Sequence, residues 1–104
     1  MNGPLGEFEQ LVLLALLRLK NDAYGVAIRR EIEARTGRET GLGSVYKTLE
    51  RLEHKGLVSS WVGEPTPERG GRRKKYYRAS SLGVRALRQS LRAVQQMASG
   101  LEGL

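Results

Sequence analysis

The chain has 104 residues, no cysteine, 39% apolar residues and a formal net charge of +7. That length holds one domain with its own core rather than two, and the lack of cysteine excludes disulfides and thiolate metal sites, as suits a reducing cytoplasm. The charge is lopsided: residues 69 to 104 hold nine Lys or Arg and one Glu, whereas residues 1 to 68 hold nine basic and ten acidic side chains, so an anionic partner is expected at the last third.

The first element is a helix expected from Pro4 or Leu5 to Lys20, with the proline tolerated in its first turn. Its longest apolar run, Leu11 to Leu17, is too short to span a bilayer, and Glu7 and Glu9 precede it where a signal peptide would carry positive charge. A cytoplasmic protein with no membrane partner is the expectation. The apolar residues cover more than one helical face, which implies a second packing partner, and Leu13, Leu16 and Leu17 are the candidates to meet it. Asn21 and Asp22 break the pattern. Tyr24 to Thr36 follows as an amphipathic helix with Tyr24, Ile28 and Ile32 at i, i+4 and i+8 and Gly37 as its stop.

After Gly41, Leu42 and Gly43 a third helix is expected, with Ser44 as N-cap and Gly56 as terminator. Val45, Leu49 and Leu52 form its buried stripe. Lys47, Glu50, Arg51 and His54 lie opposite, with Ser44 and Tyr46 towards the N-terminal edge. Two helices joined by a short glycine-containing turn, the second presenting polar groups at its start, make a helix-turn-helix pattern. Ser44, Tyr46, Lys47 and Arg51 are its candidate DNA contacts.

Leu57 to Val62 reads as a strand, Gly63 to Arg73 as a loop, and Lys74 to Ala79 as the returning strand. Three helices and then a hairpin with a basic loop is the winged-helix order. Strand alternation turns one of Tyr76 and Tyr77 to the core and the other to the edge; Tyr77 is expected inward, with Lys75 and Ala79 on its side, although the sequence does not fix the parity. From Arg69 to Arg78 there are six basic residues and no acid, more than protection of an edge strand requires. Arg69, Arg72, Arg73, Lys74 and Lys75 are therefore the candidate phosphate contacts of a wing.

A last helix is expected after Ser80 and Ser81. Val84, Leu87, Leu91, Val94, Ala98 and Leu101 are spaced 3, 4, 3, 4, 3, an a/d seam that needs another helix. Homodimerisation is the economical reading, an intramolecular lid the alternative. Arg85, Arg88 and Arg92 lie off the seam and are expected to be solvated. The fold class is thus mainly α with a small β-hairpin: a winged helix-turn-helix over residues 1 to 80 and a coiled-coil-like dimerisation helix over residues 81 to 104.

The runs DAYGVAIRREIE, GSVYKTLERLEHKGLVSSW and GGRRKKYYRASSLGVRAL resemble the PadR family of bacterial transcriptional regulators, from about Leu5 to Leu91. The resemblance implies a dimeric winged-helix repressor, with Ser44, Tyr46 and Lys47 at the DNA-facing start of the recognition helix, Arg72, Arg73, Lys74 and Lys75 in the wing, and the terminal helix as dimerisation arm. Lys47 stands where many members have proline, which bears on base preference; Ser80 and Ser81 replace an acidic or threonine start of the last helix, which bears on capping. Some compact members bind flat aromatic effectors gripped by aromatic side chains of that helix. This sequence has none there, Trp61 and Met97 read as packing residues, and any effector is unknown.

Enzyme chemistry is not expected. His54 is the one histidine, and its helical neighbours Glu50 and Glu53 make surface ion pairs more readily than a catalytic or metal site. GGRR lacks the strand-loop-helix context of a phosphate-binding loop. No cofactor is implied. The expected partner is double-stranded DNA, the alternative a winged helix whose basic loop meets an acidic protein.

Overall fold

The computed structural model describes residues 3 to 64 and 73 to 104. The element order is α1 (Glu7–Leu19), a 3-10 turn (Lys20–Asp22), α2 (Gly25–Thr36), α3 (Leu42–His54), β1 (Val58–Val62), β2 (Lys75–Ala79) and α4 (Ser81–Ala98). The strands pair antiparallel, with Ser60 opposite Tyr77 and Trp61 opposite Tyr76.

α1 starts two or three residues later than expected. Gly6 is its N-cap, and the Glu9 carboxylate accepts the Gly6 N–H at 2.9 Å. This is half of a capping box, since glycine has no side chain to reciprocate. Val12, Leu13, Ala15 and Leu16 are buried. They form one core with Ile28 and Ile32 of α2, Val45, Leu49 and Leu52 of α3, Leu57, Val58 and Tyr77 of the hairpin, and Leu87 of α4.

Leu13 and Leu16 were expected on a dimer face, and so was Leu87. With 0%, 3% and 3% of their surfaces accessible, all three are consumed by the protomer's own core. The excess apolar surface of α1 has a simple cause: the helix packs on α2, α3, β2 and α4 at once. Of the three α1 residues only Leu17 remains on the surface, 44% exposed.

Between α1 and α2 the chain adds a rung to the hairpin. The Tyr77 N–H donates to the Ala23 carbonyl at 2.8 Å, and Tyr24 forms an isolated bridge with Tyr76. A two-residue bridge has no periodicity to announce it in the sequence. Gly37 closes α2 in the left-handed region, φ 69°, the cap that glycine supplies without strain.

α3 begins at Leu42 with Gly41 as N-cap, so Ser44 lies within the first turn rather than capping it. Its C-terminus is a Schellman motif: Gly56 has φ 78°, its N–H donates to the Glu53 carbonyl, and the Leu57 N–H reaches back to Leu52.

The start of α4 is fixed from two sides. Ser80 Oγ accepts the Gly83 N–H at 3.0 Å and donates to the Gly56 carbonyl at 2.7 Å, while the Ser80 N–H donates to the Leu57 carbonyl. A Cβ on Gly83 would collide with that Leu57 carbonyl, so the glycine is what lets the helix meet the hairpin backbone. The helix ends at Ala98 with Ser99 as C-cap. Leu101 was expected on the seam and lies beyond the last turn. From Arg92 onward every residue of α4 is exposed, and the helix leaves the body as an arm.

Candidate nucleic-acid interface

α3 buries Val45, Thr48, Leu49 and Leu52, positions 3 and 4 apart that fix the opposite face by helical geometry. Ser44, Lys47, Glu50, Arg51 and His54 are accordingly exposed, and the last four other than Ser44 line one shallow recess. No side chain caps the N-terminus of α3. Its first-turn N–H groups thus carry the positive end of the helix dipole beside Ser44 and Lys47.

Tyr46 has a double placement. It is 43% exposed, yet its ring lies where a Cβ on Gly25 would have to go. Glycine at the start of α2 is what admits this ring, and Tyr46 thereby locks the start of α3 to the start of α2.

The hairpin is tied to the same point. Tyr24, N-cap of α2, meets Tyr76 edge to face at 5.9 Å, and Tyr76 stacks on Trp61 at 5.6 Å and 20°. Lys74 Nζ caps this ladder over Tyr24 at 4.2 Å, and the Arg78 guanidinium caps it over Trp61 at 5.0 Å. Ring pairs and cation–π contacts of this kind contribute about 0.5–1.5 kcal/mol each. Trp61 is thus a packing residue on the hairpin, whereas Met97 is 81% exposed on the arm. Tyr77 faces the core, 5% exposed, and burial pushes its hydroxyl pKa up, with the charges of Glu53 and Glu50 and the neighbouring Tyr46 adding to the effect.

Of the wing residues named from the sequence, Arg73 and Lys75 are exposed and Lys74 is half-buried by its seat on Tyr24. Lys75 Nζ stands 5.7 Å from the Tyr77 ring centre. Arg69 and Arg72 lie outside the described residues.

Sequence reasoning missed Glu9. The Glu9 carboxylate, on a residue only 5% exposed, accepts from Arg51 Nε at 3.2 Å and from Lys55 Nζ at 3.0 Å. Arg51, a candidate DNA contact from the sequence, is therefore also an ion-pair partner, with its side chain 52% exposed. The signal was present: Glu9, Val12, Leu13 and Leu16 fall at i, i+3, i+4 and i+7, which sets an acid on the buried stripe. Burial by itself raises the Glu9 pKa, but the hydrogen bonds from Gly6, Lys55 and Arg51 outweigh it and hold the group below its ordinary value of 4.5. A carboxylate with a depressed folded pKa contributes stability that is present above the ordinary value and is lost as pH falls through the folded one. Glu9→Gln should flatten the acid limb of the stability curve below about pH 4.5, which Trp61 fluorescence during acid titration measures.

Glu53, read from the sequence as a surface neighbour of His54, has a structural role. Glu53 accepts the Ser60 hydroxyl at 2.6 Å and so joins α3 to β1. Among the described residues no three His, Cys, Asp or Glu are grouped to hold a metal, and no helix is long and apolar enough to cross a membrane.

Comparison with known proteins gives this arrangement its family. An uncharacterized protein of Lysinibacillus sphaericus is 34% identical over 80 residues, 75% of this chain and 69% of that protein. A PadR family transcriptional regulator from Eggerthella lenta superposes with a TM-score of 0.68 at 29% identity, over 92% of this chain and 83% of its own. A PadR family transcription regulator from Clostridium difficile does so with a TM-score of 0.70 at 25% identity, over 92% and 99%. The model of the transcriptional regulator PadR-like family matches residues 13 to 89, the span that holds most of α1, both helices of the helix-turn-helix, the hairpin and the first half of α4. The chain belongs to the PadR-like family of transcriptional regulators, a family of winged-helix transcription factors rather than enzymes.

Proposed function

We propose that the chain is a cytoplasmic, homodimeric repressor that binds double-stranded DNA at an inverted-repeat operator. The observation that carries this reading is the convergence at the start of α2. Gly25 admits the Tyr46 ring of α3, and its neighbour Tyr24 carries both Lys74 and Tyr76 of the hairpin. The basic base of the wing and the N-terminus of α3 are therefore held to one rigid point. Rigidly spaced, one can enter a major groove while the other follows the flanking phosphates. Residues 1 to 80 are read as the DNA-binding unit and 81 to 104 as the dimerisation segment, with the proximal half of α4 anchored through Leu87 in the core.

The dimer reading rests on the arm. Val94 is 60% and Met97 81% exposed, and beside the proximal half of α4 runs an open groove lined by Pro4, Leu57, Leu82, Ala86 and Ala93 among others. The exposed apolar side chains of the arm and the mainly apolar groove beside the same helix suit two-fold reciprocal packing. Two recognition helices would then address half-sites about one helical turn apart.

Selection of bound duplexes from a random pool, followed by mobility shift in graded salt, tests the function. Tight, selective, salt-dependent binding is expected. Lys47→Ala should then flatten preference at one or two positions of the selected site, by about 1–3 kcal/mol. Equal loss on selected and random duplex would make Lys47 a phosphate contact, and no duplex binding at low salt would leave an acidic protein as the partner of the basic wing.

A further inference from the structure

The surroundings of Glu9 exceed what a helix cap needs. A cap is supplied as well by a serine or aspartate at the surface, whereas a carboxylate 5% exposed carries a desolvation cost that its partners must offset. Two of those partners come from the far end of α3, 42 and 46 residues away in the chain. We propose that Glu9 is a positioning residue for DNA selectivity, holding the Arg51 guanidinium in one orientation and restraining the Lys55 ammonium at the C-terminal end of the recognition helix. The proposal rests on the DNA-binding reading above.

The geometry separates anchoring from contact. The bond to Glu9 runs through Arg51 Nε, and a guanidinium has four further N–H donors in a planar fork. Half of the side chain stays exposed, on the recess it shares with Lys47 and His54. A fork fixed at its root loses little freedom on docking and accepts only acceptors that lie in its plane. An Arg51 guanidinium released from Glu9 would instead follow any nearby phosphate, adding affinity without sequence information.

Glu9→Gln keeps the shape and the acceptor for Gly6 but removes the charge that holds both bases. The test compares wild type and Glu9→Gln on the duplex selected by the wild-type chain and on a scrambled duplex, across a salt series. The scrambled duplex should bind more tightly and with a steeper salt dependence, by about 1 unit of slope, and the ratio of selected to scrambled affinity should fall about tenfold. In an Arg51→Ala background the same change should move that ratio less than about twofold, because an effect exerted through Arg51 disappears with it, so the two substitutions are not additive. A ratio unchanged in a folded Glu9→Gln protein would make Glu9 a structural pin only and overturn the proposal. Should Glu9→Gln fail to fold, Arg51→Lys serves instead: it keeps the charge on Glu9 but loses the fork, and an unchanged ratio there overturns the proposal equally. A wild-type chain that binds no duplex overturns the DNA-binding reading itself, and is told apart because the defect precedes any substitution.

Discussion

Replacing Val94 with glutamate should give a folded monomer that has lost most of its operator affinity. Val94 is 60% exposed in the protomer, on a stretch of α4 where every residue from Arg92 onward is exposed. It contributes nothing to the protomer's core, so a charge there leaves folding intact. In a helix-to-helix seam the same charge would be buried without a partner, at a cost of about 3–5 kcal/mol. Losing the second half-site then removes the effective-concentration advantage of a dimer, about 10²–10⁴ in affinity. Sedimentation gives the mass and a mobility shift on the selected duplex gives the affinity. Leu87→Glu is the contrasting variant: with Leu87 3% exposed in the protomer's core, it should unfold the chain rather than dissociate it. A Val94→Glu protein that remains a dimer of unchanged affinity would remove the arm from the interface.

The contrast between Val94 and Leu87 also marks how far the sequence could be read. An a/d spacing finds a face that must be buried, but periodicity does not say by what. Leu87 and Val94 obey the same spacing, and only the fold separates the half of α4 that packs on α1 and the hairpin from the half that projects. The linear pattern gives Leu13 and Leu16 to a dimer face for the same reason, because four neighbours of one helix consume a face that is surplus only along the chain. Local chemistry was more legible. Gly37 and Gly56 end their helices at positive φ, and Tyr77 faces the core as expected. The Ser44 cap failed because Gly41 can take the extended N-cap conformation without a side chain. The spacing of α1 sets Glu9 on the buried stripe but does not name its partners on α3, and the Tyr24, Tyr76 and Trp61 ladder depends on residues that meet only when three elements converge.

The basic residues of the hairpin should divide by the same criterion, contact with solvent or contact with rings. Arg73 and Lys75 are exposed where β2 begins, so their charge is available to a phosphate backbone. Arg73→Ala with Lys75→Ala should weaken binding to selected and scrambled duplexes by similar factors, because phosphate contacts position a protein without reading bases. Each lost contact lowers the slope of log K against log salt by about 0.9, so the double variant should be shallower by about 1–2 units. Stability in thermal unfolding followed by Trp61 fluorescence should fall by no more than about 0.5–1 kcal/mol, since Arg73 is exposed and Lys75 gives up only a long contact with the Tyr77 ring, 5.7 Å from its centre. Lys74→Ala should behave in the opposite sense. Its ammonium sits 4.2 Å from the centre of the Tyr24 ring, so truncation removes a cation–π contact and loosens the wing from α2, costing about 0.5–1 kcal/mol of stability. If Arg73 and Lys75 can both be removed without effect even at low salt, their charge serves solubility rather than DNA contact.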